Sequence, residues 1–210
     1  MISDIREDNE KKTEVSPTED LMREHGVMHR VLLIYKDLLK YLKGQKANNN
    51  LNIYAIIYNT AAIEKQFIEE YHQKLEEQYV FPKFINDPKF GSLINTLKIQ
   101  HNAASTITER ILYISSMKNF CPFEDILQLI KLMSQYINMY EPHSAREDTV
   151  IFPAFHEMVP PEEFKKLGER FEEIEEQNFG RDGFHHIVNE VAKVEKVLGI
   201  YNLAQFTPKK

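Results

Sequence analysis

Along most of the chain apolar residues recur every three or four positions, and polar or proline-containing breaks divide that pattern into helical stretches. The first stripe is Leu21, His25, Met28, Leu32, Tyr35 and Leu39; Ser16 or Thr18 offers its N-cap, and Glu19 and Asp20 suit the positive end of a helix. Gly44 and the run Asn48-Asn49-Asn50 end it. A second helix starts near Leu51 and carries Ile57, Ala61, Ile68, His72, Leu75 and Tyr79 on one side until Pro82 disturbs it. After a turn at Asn86-Asp87-Pro88, a third runs from about Lys89 to Lys118 with Ile94, Leu97, His101, Thr108 and Leu112 in phase. Asn119 to Pro122 is its loop. The fourth begins near Phe123 and shows Ile126, Leu129, Met133, Tyr136, Tyr140, His143, Glu147 and Val150 before Phe152-Pro153. No stretch reads as a strand.

Four long helices joined by short loops predict an all-α fold, an antiparallel up-down-up-down four-helix bundle with additional C-terminal helices. Residues 1–15 are charged, lack apolar periodicity and read as a mobile N-terminal tail. The bundle spans 16–158, and 159–210 form a helical extension that packs on the bundle or on a partner subunit. Within the extension a helix from Glu162 to Gln177 carries the stripe Phe164, Leu167, Phe171 and Ile174, so both monomer and homodimer fit. The run Glu172-Glu173-Ile174-Glu175-Glu176 reads as a solvated face, and a final helix ends near Leu198.

Composition narrows the function classes. A formal charge of -6 without a basic stripe argues against nucleic acid or an anionic membrane as partner. No apolar run approaches the ~20 residues of a membrane helix and the N-terminus is unlike a secretory signal, which makes the cytoplasm the expected compartment. A single cysteine, Cys121, excludes an intramolecular disulfide and a Cys-rich zinc site, so any metal must be held by nitrogen and oxygen.

The chemistry lies in one eleven-residue pattern that occurs twice, from His72 through Glu76 to Phe81-Pro82 and from His143 through Glu147 to Phe152-Pro153. On a helix each His and the Glu four residues later share a face and can reach one point. Counting along the helices puts His25 and His72 ~29 to 31 Å from their shared loop, and His101 and His143 ~26 to 30 Å from theirs, at ~1.5 Å rise per residue. All four histidines then fall on one layer, with Glu76 and Glu147 a turn away. One histidine on an apolar face is most simply a core residue hydrogen-bonded to a neighbour. Four imidazoles and two carboxylates converging there are costly as mere structure, whereas cations satisfy them together. Iron, zinc, copper and manganese all accept such donors, and six donors exceed one tetrahedral zinc, suggesting two metal ions bridged by carboxylates.

The order His25, His72-x3-Glu76, His101, His143-x3-Glu147, with Phe-Pro five residues after each Glu, resembles the hemerythrin-like (HHE cation-binding) proteins from His25 to Pro153. The resemblance implies a four-helix bundle around a non-haem di-iron centre of two iron ions, oxo- or hydroxo-bridged, with a His on every helix and Glu76 and Glu147 bridging. It implies binding or sensing of O2, nitric oxide or iron, with a small gaseous ligand or peroxide as partner. The oxygen-carrying members use five histidines, one Glu and one Asp, with a wider spacing on the last helix. This chain has two symmetric units instead, which keeps a di-iron enzyme for peroxide or O2 reduction, or for ferrous iron oxidation, as the alternative. His29, one turn after His25, is a possible additional ligand in place of the carriers' extra third-helix histidine, whose position here is Ser105. Glu69-x2-His72 fits the ferritin spacing, but Tyr140 stands where the second copy needs Glu. Glu77 and Asp148, beside the ligands, point about 100° away and serve solubility or a supporting hydrogen bond. His156, His185 and His186 lie outside the repeat and read as solvated.

Overall fold

The computed structural model describes residues 15–48, 50–116 and 123–208. The tail (residues 1–14), Asn49, the predicted end of the third helix at Lys118 and the Asn119 to Pro122 loop with Cys121 lie outside them. Helix α1, Pro17–Leu42, is capped by Ser16, whose Oγ accepts the Glu19 amide at 3.3 Å; Thr18, the other candidate, is buried within the first turn. Helix α2 covers residues 53–83 and opens where the Asn52 side chain accepts the Ala55 amide, two residues after the Leu51 start expected from periodicity. Asp87 takes the amides of Lys89 and Phe90 on one carboxylate oxygen, which holds them in a turn and delays α3 to Gly91–Ser116. Helix α4 covers residues 123–158; α5, Pro161–Phe179, and α6, Gly183–Leu198, form the C-terminal extension.

The first four helices form an antiparallel bundle in which each packs on its sequence neighbours and α4 closes the ring against α1. The stripes read from the sequence face inward: Leu21, Met28, Leu32 and Tyr35 from α1, Ile57, Ala61 and Ile68 from α2, Ile94 and Leu97 from α3, and Leu129, Met133 and Tyr136 from α4 are all buried. Among the described residues no helix is long and apolar enough to cross a membrane.

Among the described residues of α2 and α4, uniform 3.6-residue geometry gives way to wider turns and, at Phe81–Lys83, to a tighter 3-10 turn. Glu64–His72, Glu76–Val80 and Glu147–Ile151 are widened π-type turns, and the last two sit at matched positions of the repeat. There the Phe81 amide reaches back five residues to the Glu76 carbonyl, and the Phe152 amide to that of Glu147. Pro82 and Pro153 follow directly, with no amide to continue a regular ladder. Such turns rotate the residues beyond them and are frequent where a helix carries a functional group.

The extension lies on the bundle rather than away from it. Phe179 meets Phe67 and Tyr71 at ring separations of 5.5 and 5.2 Å, Phe171 stands edge-on to Tyr79 at 5.4 Å, and Arg30 forks onto Glu195 of α6 at 2.9 and 2.6 Å. Phe171 is fully buried. Phe171→Ala is expected to destabilise the chain by ~3–5 kcal/mol, the usual cost of deleting a buried aromatic side chain. Urea unfolding checks this, and a loss below about 1 kcal/mol would mean that the site collapses without consequence.

Candidate metal centre

Each bundle helix brings one imidazole to the same layer: His25 from α1, His72 from α2, His101 from α3 and His143 from α4. Glu76 and Glu147 join them from α2 and α4, and all six side chains are between 0 and 3 % exposed. They fall into two trios, His25, His72 and Glu76, and His101, His143 and Glu147, each with its donor atoms within 4.8 Å of one another. The carboxylates cross between trios. Glu76 sets Oε1 3.6 Å from His72 Nε2 and Oε2 3.4 Å from His101 Nε2. Glu147 Oε2 lies 3.0 Å from His143 Nε2 and 3.5 Å from His25 Nε2.

The outer nitrogens explain why the inner ones are bare. His25 Nδ1 donates to Asp148 at 2.6 Å, His72 Nδ1 to Glu24 at 2.6 Å, His101 Nδ1 to Glu77 at 3.0 Å and His143 Nδ1 to the side-chain oxygen of Gln100 at 2.8 Å. With Nδ1 carrying the proton, each neutral ring turns an Nε2 lone pair inward. The pairings keep the two-fold relation of the repeat. The residue after each Glu holds a histidine from the opposite half, and the residue before His25 or His101 holds the histidine of an eleven-residue unit. Glu77 and Asp148 therefore act on a neighbouring helix, where the 100° offset aims them.

Burial sets the charges. It pushes His72 and His143 down to about 3 and lowers His25 and His101, with Asp148 and Glu77 opposing through their hydrogen bonds. Glu77 is held down to about 2, chiefly by the His101 hydrogen bond, and remains a carboxylate. Burial drives Glu76 and Glu147 upward, Glu76 further because Glu147 faces it. Inside the layer both oxygens of Glu76 and of Glu147, with Nε2 of His72 and His101, have no hydrogen-bond partner. Lone pair thus confronts lone pair at 3.0 to 3.6 Å. Such facing is tolerable only with positive charge between the groups, from protons on the carboxyls or from metal ions. The donor set fits metal.

The Phe of each repeat also finds its role. Phe152 stacks on His25 and Phe81 on His101, both at 5.4 Å, so each ring covers an imidazole from the other half of the bundle. Tyr140 lies 5.0 Å from His143, and its hydroxyl accepts a hydrogen bond from Gln73. His29 stands outside both trios, its Nε2 2.8 Å from Ser144 Oγ. Tyr79 points away to Phe171 and Arg170. Glu69, the residue that fitted a ferritin spacing, turns to Lys65 at 3.2 Å instead of joining a trio. His156, His185 and His186 are exposed, His156 stacking on Phe164 at 4.6 Å.

The hemerythrin HHE cation-binding domain model matches residues 16–155, two thirds of the chain and all six of these side chains. The chain belongs to the hemerythrin HHE cation-binding family. Uncharacterized proteins of Mycobacterium tuberculosis and Mycobacterium bovis are 42 % identical to it over 201 residues, covering 95 % of this chain and 76 % of theirs. That similarity continues past the HHE domain into the extension. No solved structure matches the chain.

Two supports of this HHE site escape sequence reasoning. Glu24 and Gln100 read as ordinary helix polar residues, although each precedes a histidine at the same place in its half, and that shared place is the signal that could have found them. Glu64, on α2 eight residues before His72, is fully buried facing Tyr136, and burial pushes its carboxyl up to about 8. No sequence pattern marks it.

Proposed function

We propose that His25, His72, Glu76, His101, His143 and Glu147 hold two iron ions, with Glu76 and Glu147 spanning both, and that the protein binds or senses a small molecule at that centre. The observation that carries the reading is the facing of Nε2 atoms and carboxyl oxygens from six buried side chains at 3.0 to 3.6 Å, which two cations satisfy together. When bound, iron supplies open coordination positions and one-electron chemistry for O2, nitric oxide or peroxide. The chain's share is to hold the ligands and exclude bulk water. Phe81 and Phe152 cover the imidazoles, and nearly complete burial admits only ligands of a few atoms. Two mixed trios of nitrogen and oxygen suit iron better than the all-oxygen sites of magnesium or calcium.

A second reading, turnover of peroxide, draws on Tyr140. Its hydroxyl is fixed by Gln73 beside His143, within the interior, where a proton donor can serve a reacting oxygen. Iron-reconstituted protein is expected to hold about two irons per chain, since six donors exceed the needs of one ion. The reduced protein is expected to oxidise in air to a coloured form that persists when flushed with inert gas, and to consume hydrogen peroxide slowly. One metal per chain, or zinc retained in preference to iron, would reject the di-iron reading. Return to the colourless state without reductant would favour a reversible carrier over peroxide chemistry.

A further inference from the structure

Three carboxyls outside the centre meet where the bundle joins the C-terminal extension. Asp20 and Glu24 stand one turn apart on α1, Glu175 reaches them from α5, and one oxygen of each lies within 4.8 Å of the others. Asp20 and Glu24 are buried and Glu175 is half-buried, so the glutamate run that reads as a solvated face turns one member inward. Burial, with Glu24 and Glu175 nearby, raises Asp20 to about 7. Arg23 offsets the charge of Asp20 and Glu24 in part. Arg23 Nη1 is 3.6 Å from Asp20 while its guanidinium lies 4.3 Å over the Phe184 ring.

Tyr71 on α2 supplies an independent sign of a missing ligand. It is 1 % exposed, and its hydroxyl sits among Glu24, Asp20 and Glu175 without a well-formed hydrogen bond. A buried phenol left in that state calls for an unfilled partner. Glu24 Oε1 is also buried and unpaired. Glu175 is held in place by the start of α6. The Phe184 amide donates to its Oε1 at 2.8 Å, and a Cβ at Gly183 would come within 3.1 Å of the same oxygen. A surface glutamate would have no such seat.

We propose that Asp20, Glu24 and Glu175 form a second cation site for one hard divalent ion, Mn2+, closed on one side by Tyr71. Its all-oxygen donor set favours such ions and contrasts with the imidazole-rich centre. Glu24 joins the two sites, since its Oε2 takes the His72 Nδ1 proton at 2.6 Å. The site also gives the extension a task, because Glu175 lies beyond the HHE domain at residues 16–155.

The test is equilibrium dialysis of the iron-loaded full-length chain against Mn2+, counting manganese and iron in one sample. One Mn2+ per chain is expected in addition to the iron, with a rise in melting temperature as binding stabilises the folded state. Glu175→Gln keeps an oxygen for the Phe184 amide, and Asp20→Asn keeps the side-chain shape. Both are expected to lose that Mn2+ and its thermal shift, with iron content and visible spectrum unchanged. Wild-type protein that takes up no Mn2+, or both variants binding it as wild type does, overturns the proposal. A chain that held no iron would still differ from Glu175→Gln by one Mn2+, so the two readings fail separately.

Discussion

Glu76→Ala is expected to retain less than one iron per chain where the unsubstituted protein holds about two, because this carboxylate faces a histidine in each trio. Its loss deprives one trio of its only carboxylate and removes one of the two groups that span them. Smaller changes should follow from the outer hydrogen bonds. Gln100→Ala frees His143 Nδ1 and is expected to weaken iron binding by ~10- to 100-fold, the usual cost of losing a group that orients a metal-bound histidine. His29→Ala should leave iron content unaltered, since His29 is engaged with Ser144. Elemental analysis after dialysis ranks the three. Metal loss is separable from unfolding: Glu76→Ala removes an unpartnered buried carboxyl, so the iron-free variant should melt no lower than iron-free wild type. Two irons retained by Glu76→Ala would refute the bridging role.

Glu64→Gln is expected to flatten the pH dependence of stability between about pH 4.5 and 8. Burial raises the Glu64 carboxyl from an ordinary 4.5 to about 8, against the nearby Tyr136 hydroxyl, which lowers it, and with the Glu69 charge, which raises it further. Folded protein therefore keeps this proton across a range where the unfolded chain has released it. More protons on the folded form mean that stability falls as pH rises. The contribution is fully present below about pH 4.5, erodes from there, and is lost once pH passes about 8, where a charge must be buried. Glutamine never ionises. The melting temperatures of variant and wild type should thus be similar at pH 5 and diverge towards pH 8, with the variant higher. Tyr35, Tyr136 and Glu69 around it do not cancel the trend, because the tyrosines are themselves driven above their usual range by burial. A gap that stays constant with pH would show that Glu64 is not the group responsible.

The sequence by itself determined the helices, their inward stripes and the bundle. Those features depend on the 3.6-residue period and on short polar breaks, both local properties of the chain. It also brought out the doubled His-x3-Glu units and their common level, because i,i+4 spacing and helix rise are fixed geometry. Only the tertiary structure decided what those residues touch. Glu24 meets His72 across 48 positions and Gln100 meets His143 across 43, and each choice depends on which face of a neighbouring helix lies opposite. The same holds for Phe81 and Phe152, which cover histidines of the opposite half, and for His29, which shares a helix face with His25 yet is turned to Ser144. Widened turns at Glu76 and Glu147 leave no periodic trace, since a single residue of slip is invisible in a stripe. Glu175 belongs to a run whose composition suits solvent, and it faces inward only because α5 and α6 lie on α1 and carry that one position onto Asp20 and Glu24.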